Sequence, residues 1–132
     1  GLRREGAMPT RIRIEAPGIV MDAMLNDSPT AQKIARVLPL EAEANTWGDE
    51  IYFSIPVDMP LDERAKELVN AGDLGYWPRG RAFCIFFGPT PISAPGEIRP
   101  ASAVNIVGKV CGDPAHFKTV KDGDLVRVVA AT

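Results

Sequence analysis

Residues 82–87 read AFCIFF, six consecutive apolar side chains with no charge to turn toward water. A run this short, bounded by Arg81 on one side and Gly88-Pro89 on the other, predicts a strand covered on both faces. A buried helical segment is the competitor, but six residues are few for a helix and phenylalanine favours strand. The fold must therefore place an apolar layer against each side of this strand. Just before it, residues 72–77 (GDLGYW) form a second extended run. Between the two, Pro78-Arg79-Gly80-Arg81 supplies turn chemistry, since proline fixes φ and glycine allows φ > 0.

The rest of the chain offers short partners for this hairpin. Residues 11–15 (RIRIE) alternate polar and apolar, the period of a half-exposed strand, and Pro17-Gly18 turns the chain into a second strand over 19–25. A helix follows. Ser28 is placed to cap it, Pro29 suits its first position, and Ala31, Ile34, Ala35 and Leu38 form one apolar stripe until Pro39 stops it. Residues 42–46 and 50–55 read as two further strands around a tight Trp47-Gly48-Asp49 turn. Residues 61–71 fit a helical turn or a short strand equally well. Residues 88–100 carry Pro89, Pro91, Pro95 and Pro100 and no regular pattern, and a loop of that length is more often functional than not. A buried strand over 104–110 comes next, then a short helix begun by Asp113-Pro114 with Phe117 and Val120 inward. A last strand runs over 125–130. Seven to nine strands with two short helices, too few of them long enough for parallel crossovers, favour a mostly antiparallel barrel or sandwich.

At 132 residues the chain makes one domain able to bury a core without disulfides or metal. We take residues 9–132 as that domain and residues 1–8 as a frayed arm, with Gly1 a tag remnant and Met8 the natural start. A formal net charge of −2 gives no electrostatic reason to expect nucleic acid or an acidic membrane surface as a partner. No segment has the length and apolarity of a membrane span. Cys84 and Cys111 lack metal-like spacing and read as two buried free thiols, which fits a reducing, cytoplasmic setting.

Few residues carry obvious chemistry. His116 stands alone and reads as a surface helix residue, not a ligand or a catalytic base; no metal or other cofactor is expected. Asp49 and Glu50 beside Trp47 and Tyr52 read as an exposed turn, with a paired acid/base site as the alternative. The glycines around 72–88 lack the Lys-Ser/Thr ending and the strand-to-helix context of a phosphate loop. The aromatic set is more informative, because most of it falls between Trp47 and Phe87. By alternation Phe83, Ile85 and Phe87 share one face, whereas Ala82, Cys84 and Phe86 share the other. One set fills the core, and the other lies under the helices or lines an outside groove. Trp47, Tyr52 and Trp77 carry polar atoms that seek a partner or water, which makes them better groove candidates than the phenylalanines.

With these elements placed, the chain resembles the cyclophilin fold, and more closely a family of small prokaryotic cyclophilin-like proteins of uncharacterised function. Residues 20–40 (VMDAMLNDSPTAQKIARVLPL) are similar to the strand, Pro-Thr turn and helix that open cyclophilins. Residues 105–112 (NIVGKVCG) are similar to the strand and Gly-Lys turn before their second helix. The runs NTWGDEIYF, GDLGYW with AFCIFF, and RPASAVNIVGKV resemble hallmarks of the uncharacterised family. The resemblance implies a mostly β, closed barrel of about eight strands capped by two short helices.

The chemistry of cyclophilins does not follow. They isomerise Xaa-Pro bonds with help from an arginine in the strand before an Ile-Pro corner, and here that strand, EIYFSIP, has none. The expected glutamine falls near Ala82 and the expected histidine near Val104. The reading is a binding module that takes a peptide segment or small molecule in an aromatic groove, without covalent chemistry. Trp47, Tyr52, Trp77 and Phe86 wall the groove, and Thr90 and Asn105 orient the ligand. The alternatives are a weak prolyl isomerase using Arg79 or Arg81 as its donor, or an unrecognised small-molecule enzyme. Self-association through a strand edge or the proline-rich loop is compatible with each.

Overall fold

The computed structural model describes residues 9–131, so the expectations for residues 1–8 lie outside it. The chain opens with the hairpin β1 (Thr10–Ala16) and β2 (Ile19–Leu25), paired from Thr10↔Leu25 to Ala16↔Ile19 around Pro17-Gly18. Their alternation works as read: Ile12, Ile14, Ala23 and Leu25 are buried and the residues between them face outward. Helix α1 (Pro29–Arg36) begins where Ser28 accepts a hydrogen bond from the Ala31 N–H at 3.2 Å. It buries Thr30, Ala31 and Ile34.

After α1 come β3 (Leu40–Glu43), β4 (Asn45–Thr46) and β5 (Glu50–Ser54), then the central hairpin β6 (Asp73–Trp77) and β7 (Ala82–Phe86). Strands β8 (Asn105–Val110) and β9 (Leu125–Ala130) complete the set. All pairings are antiparallel, in the order β3-β9-β1-β2-β8-β6-β7-β5-β4.

The two ends of this sheet, β3 and β4, are consecutive in the chain. Only Ala44 separates them, its N–H donating to the Asp124 carbonyl and its carbonyl accepting from the Gly123 N–H, both at 2.8 Å. One bent segment thus pairs with β9 through its first half and with β5 through its second, which nearly closes the sheet into a barrel. Nine strands are formed where about eight were expected, because this segment is broken at its bend.

The interior is filled by side chains from every strand but the two-residue β4. Phe53 and Phe83 pack with ring centroids 5.6 Å apart, beside Ile12, Ile14, Ile51, Leu74 and Ile85, all essentially without exposed surface. At one end Thr30 of α1 meets the start of β8, where the Asn105 amide donates to its hydroxyl. Beyond the far end of β8, a 3-10 turn (Pro114–Thr119) capped by Asp113 pushes Phe117 in against Phe87, centroids 6.1 Å apart. The second helix expected here is this tighter turn.

A second, smaller core lies outside the barrel. Val69, Ala82, Cys84, Phe86 and Val104 are buried together, with Tyr52, Trp77, Ile98 and Ile106 partly buried around them. The cover comes from two irregular stretches joined by single bridges, Lys66↔Val104 and Val69↔Ile98. Residues 61–71 are therefore neither helix nor regular strand. This cover, together with the barrel interior, explains why every residue of β7 is buried.

Two local expectations change. The central turn takes its positive φ at Arg81 (φ 48°) and not at Gly80, which instead allows a close approach: a Cβ there would lie 2.8 Å from the Trp77 ring. Cys84 is buried as read, but Cys111 is exposed, since it follows the buried Val110 past the end of β8 and points the other way.

Candidate functional site

The outer face of β5, β7 and β6 is where the barrel meets its external cover. Strand alternation and register set its contents. Glu50 and Tyr52 of β5 lie on the outer face, with Phe86 and Cys84 of β7 opposite them, and Gly75 and Trp77 of β6 flank Cys84 and Ala82. The 100–104 stretch crosses over this surface, and the turn between β4 and β5 rises beside it. Together they enclose a pocket of about 230 Å³ lined by Trp47, Glu50, Tyr52, Trp77, Pro100, Ala101 and Val104.

Each wall is held in place. Gly48 (φ +60°) turns the chain between β4 and β5, the Trp47 N–H donating to the Glu50 carbonyl at 2.9 Å. A Cβ at Gly48 would fall 2.9 Å from the Pro89 carbonyl oxygen and from Pro91, so the turn is seated on the proline-rich loop. The Trp77 indole rests on Gly80 and donates from Nε1 to the Ser102 hydroxyl at 2.6 Å, which ties β6 to the cover. Tyr52 and Trp77 meet edge to face, centroids 6.4 Å apart at 78°, and so form two walls of a corner.

Glu50 is the polar group of this pocket. It retains 6% of its exposure, and among the described residues no nitrogen or oxygen donor reaches its carboxylate. Burial raises its pKa from the usual 4.5 to about 7, with a hydrogen bond from the Cys84 thiol pulling slightly the other way. The Cys84 thiol is itself pushed well up, first by burial and then by the charge and hydrogen bond of Glu50. Near neutral pH Glu50 can thus be a proton donor, an acceptor or a bare negative charge.

The expected site residues separate into two groups. Trp47, Tyr52 and Trp77 come together as read. Phe86 has no exposed surface and sits in the external core beneath the pocket, close against Gly75. Thr90 is buried in the proline-rich loop: its N–H and hydroxyl engage Ser93, and the hydroxyl donates to the Arg99 carbonyl. Asn105 also has no exposure, its amide donating to Thr30 Oγ1 and the Pro60 carbonyl while its oxygen accepts from the Asp62 N–H at 2.8 Å. Both are fastenings and neither faces the pocket. Their polar atoms, read from sequence as free for a ligand, are used by the chain itself.

Glu50 reverses the reading of its turn. Asp49 is the partly exposed member, paired with Lys118 at 3.4 Å, and it does not line the pocket. Glu50 turns to the other side and is buried. The signal that would have found it is the register: once β5 lies beside a strand covered on both faces, a charged residue opposite Phe86 has to be covered too.

A larger cleft of about 470 Å³ opens near the start of α1. Three of its polar side chains are engaged in local turns. Asn26 accepts from the Ser28 N–H, Asp62 from the Arg64 N–H and Asp73 from the Asn70 N–H. Arg79 and Arg81 are exposed and line neither cavity. His116 is exposed on the Pro114–Thr119 turn. No helix among the described residues is long and apolar enough to cross a membrane.

Comparison with known proteins agrees with this architecture. No curated protein matches the chain. The hypothetical protein AF2241 from Archaeoglobus fulgidus, known from a solution structure, is similar at 41% identity with a TM-score of 0.79, covering 95% of this chain and 97% of that one. A family model described as cyclophilin-like matches residues 10–129, nearly the whole described barrel. The chain therefore belongs to the cyclophilin-like family of small prokaryotic proteins.

Proposed function

We infer that the protein is a binding module that takes a small ligand, or one side chain of a peptide segment, in the pocket between Trp47, Tyr52 and Trp77. The observation that carries this is the lining itself. Three aromatic rings and three apolar residues surround a single buried carboxyl, the usual make-up of a site that binds by shape and orients by one polar contact. At about 230 Å³ the pocket falls below the roughly 300–1,000 Å³ of drug-sized sites, so it suits a ring or a head group.

Catalysis of prolyl isomerisation finds no support in the lining. The reaction is eased by a preorganised donor at the imide, and Arg79 and Arg81 point to solvent at the hairpin turn.

A thermal-shift panel of small molecules and proline-containing peptides tests the binding reading. A true ligand at about 100 times its Kd adds roughly 2.7 kcal/mol of stability. The same compound should lose that effect on a Trp47→Ala variant. A panel hit that shifts wild type and Trp47→Ala equally would place binding elsewhere.

A further inference from the structure

We propose that the pocket takes the head group of a small organic cation, an alkylated ammonium, with its positive charge set between the Glu50 carboxylate and the aromatic faces of Trp47, Tyr52 and Trp77. This rests on the pocket reading above and names the ligand class for it.

Four observations converge. First, Glu50 is buried, lines the pocket and has no nitrogen or oxygen donor among the described residues. A buried carboxylate without a cation is costly, and a guest that brings one relieves the cost. Second, no basic side chain lines the pocket, and of those nearby Arg99 pairs with Glu97 at 3.0 Å and Lys118 with Asp49 at 3.4 Å. An anionic guest would meet repulsion with nothing to offset it. Third, Tyr52 and Trp77 stand nearly at right angles, with Trp47 also in the lining, and aromatic faces attract a cation through their quadrupole. Fourth, Pro100, Ala101 and Val104 complete the wall with apolar surface, which favours a head group whose charge is wrapped in alkyl carbons over a strongly hydrated one.

Binding is then tied to the ionisation of Glu50. The groups that face it from each packed element are few. Tyr52 comes from its own strand and Cys84 from β7, whereas β6 contributes Gly75 and Trp77 and the cover Pro100, Ala101 and Val104. Asp49 in the adjoining turn is held by Lys118. With the thiol pushed well up, the carboxyl is the group that changes charge near neutrality.

The test measures affinity on the full chain by tryptophan fluorescence and calorimetry. The probes are choline, its uncharged isostere with carbon in place of nitrogen, and a short peptide carrying trimethyl-lysine. At pH of about 8 choline should bind about tenfold or more tightly than the isostere, and the advantage should shrink several-fold near pH 5, where Glu50 is protonated and only the aromatic faces still favour the cation. Glu50→Gln should cut the advantage at pH of about 8 to its pH 5 level and remove its dependence on pH. Should that variant fail to fold, the pH profile of the wild type decides. Equal affinity of choline and isostere across pH overturns the cation assignment and leaves the pocket reading standing. Binding by none of the probes overturns the assignment and counts against the pocket itself. If the peptide binds more tightly than choline the cation is carried on a protein side chain; the reverse order assigns it to a free small molecule.

Discussion

Glu50 and Cys84 lie diagonally across the β5–β7 ladder on its outer face, where each group's ionisation bears on the other's. Burial dominates both groups, and both are shifted up. The consequence for stability has a definite sign. With a folded pKa near 7 against the usual 4.5, the native state binds more protons than the unfolded chain between those values. The stabilisation from keeping Glu50 protonated is complete below about pH 4.5 and is lost as pH rises through 7. At 1.36 kcal/mol per pH unit this amounts to about 3 kcal/mol at most. Denaturant melts at several pH values should show this fall in wild type and a flatter profile in Glu50→Gln. A Gln variant less stable than wild type at alkaline pH would contradict the assignment.

Gly80 positions an indole by lacking a side chain. A Cβ there would fall 2.8 Å from the Trp77 ring, which is also held by Ser102. Gly80→Ala should displace the ring, shift tryptophan emission and weaken ligand binding, at a stability cost of about 1–3 kcal/mol from overpacking. Unchanged emission together with unchanged binding would show that the ring has room to move.

Gly48 is constrained twice, by its φ of +60° and by the Pro89 carbonyl at 2.9 Å from any added Cβ. Gly48→Ala is expected to cost about 1–3 kcal/mol and to loosen Trp47, read as a lower unfolding midpoint and faster quenching of tryptophan fluorescence.

Asn105 should behave as a fastening. Asn105→Ala leaves the Asp62 N–H and the Pro60 carbonyl without their partner, a loss of about 1–3 kcal/mol in equilibrium unfolding. Ligand affinity measured well below the melting temperature should be unchanged, since no part of Asn105 reaches the pocket. Reduced affinity at full folding would return Asn105 to the site.

The two thiols should differ in reactivity. Cys111 is exposed and should be alkylated rapidly in the native protein, whereas Cys84, fully buried with a raised pKa, should react only on unfolding. Mass spectrometry of the alkylated chain, before and after denaturant, reads this directly.

Much of the barrel was legible because its signals are local. Alternation in β1 and β2, the Ser28-Pro29 start of α1, and the unbroken AFCIFF run each report on the backbone of their own segment. The split of Phe83, Ile85 and Phe87 from Ala82, Cys84 and Phe86 into two separate cores also follows from strand period alone. Residues 61–71 gave no such signal, because single bridges to Val104 and Ile98 decide their path and those partners lie about thirty residues or more away.

The sequence by itself determined which residues could be strand, which face of each strand was apolar, and which family the chain resembles, since all of these depend on composition and spacing within a segment. Tertiary structure alone decided which polar groups face the pocket. Thr90 and Asn105 found partners within the chain, whereas Glu50, indistinguishable from its neighbour Asp49 in the sequence, was carried by the β5–β7 register under the cover of residues 100–104. A side chain's hydration and charge are set by what packs over it, and that neighbour comes from a distant part of the chain.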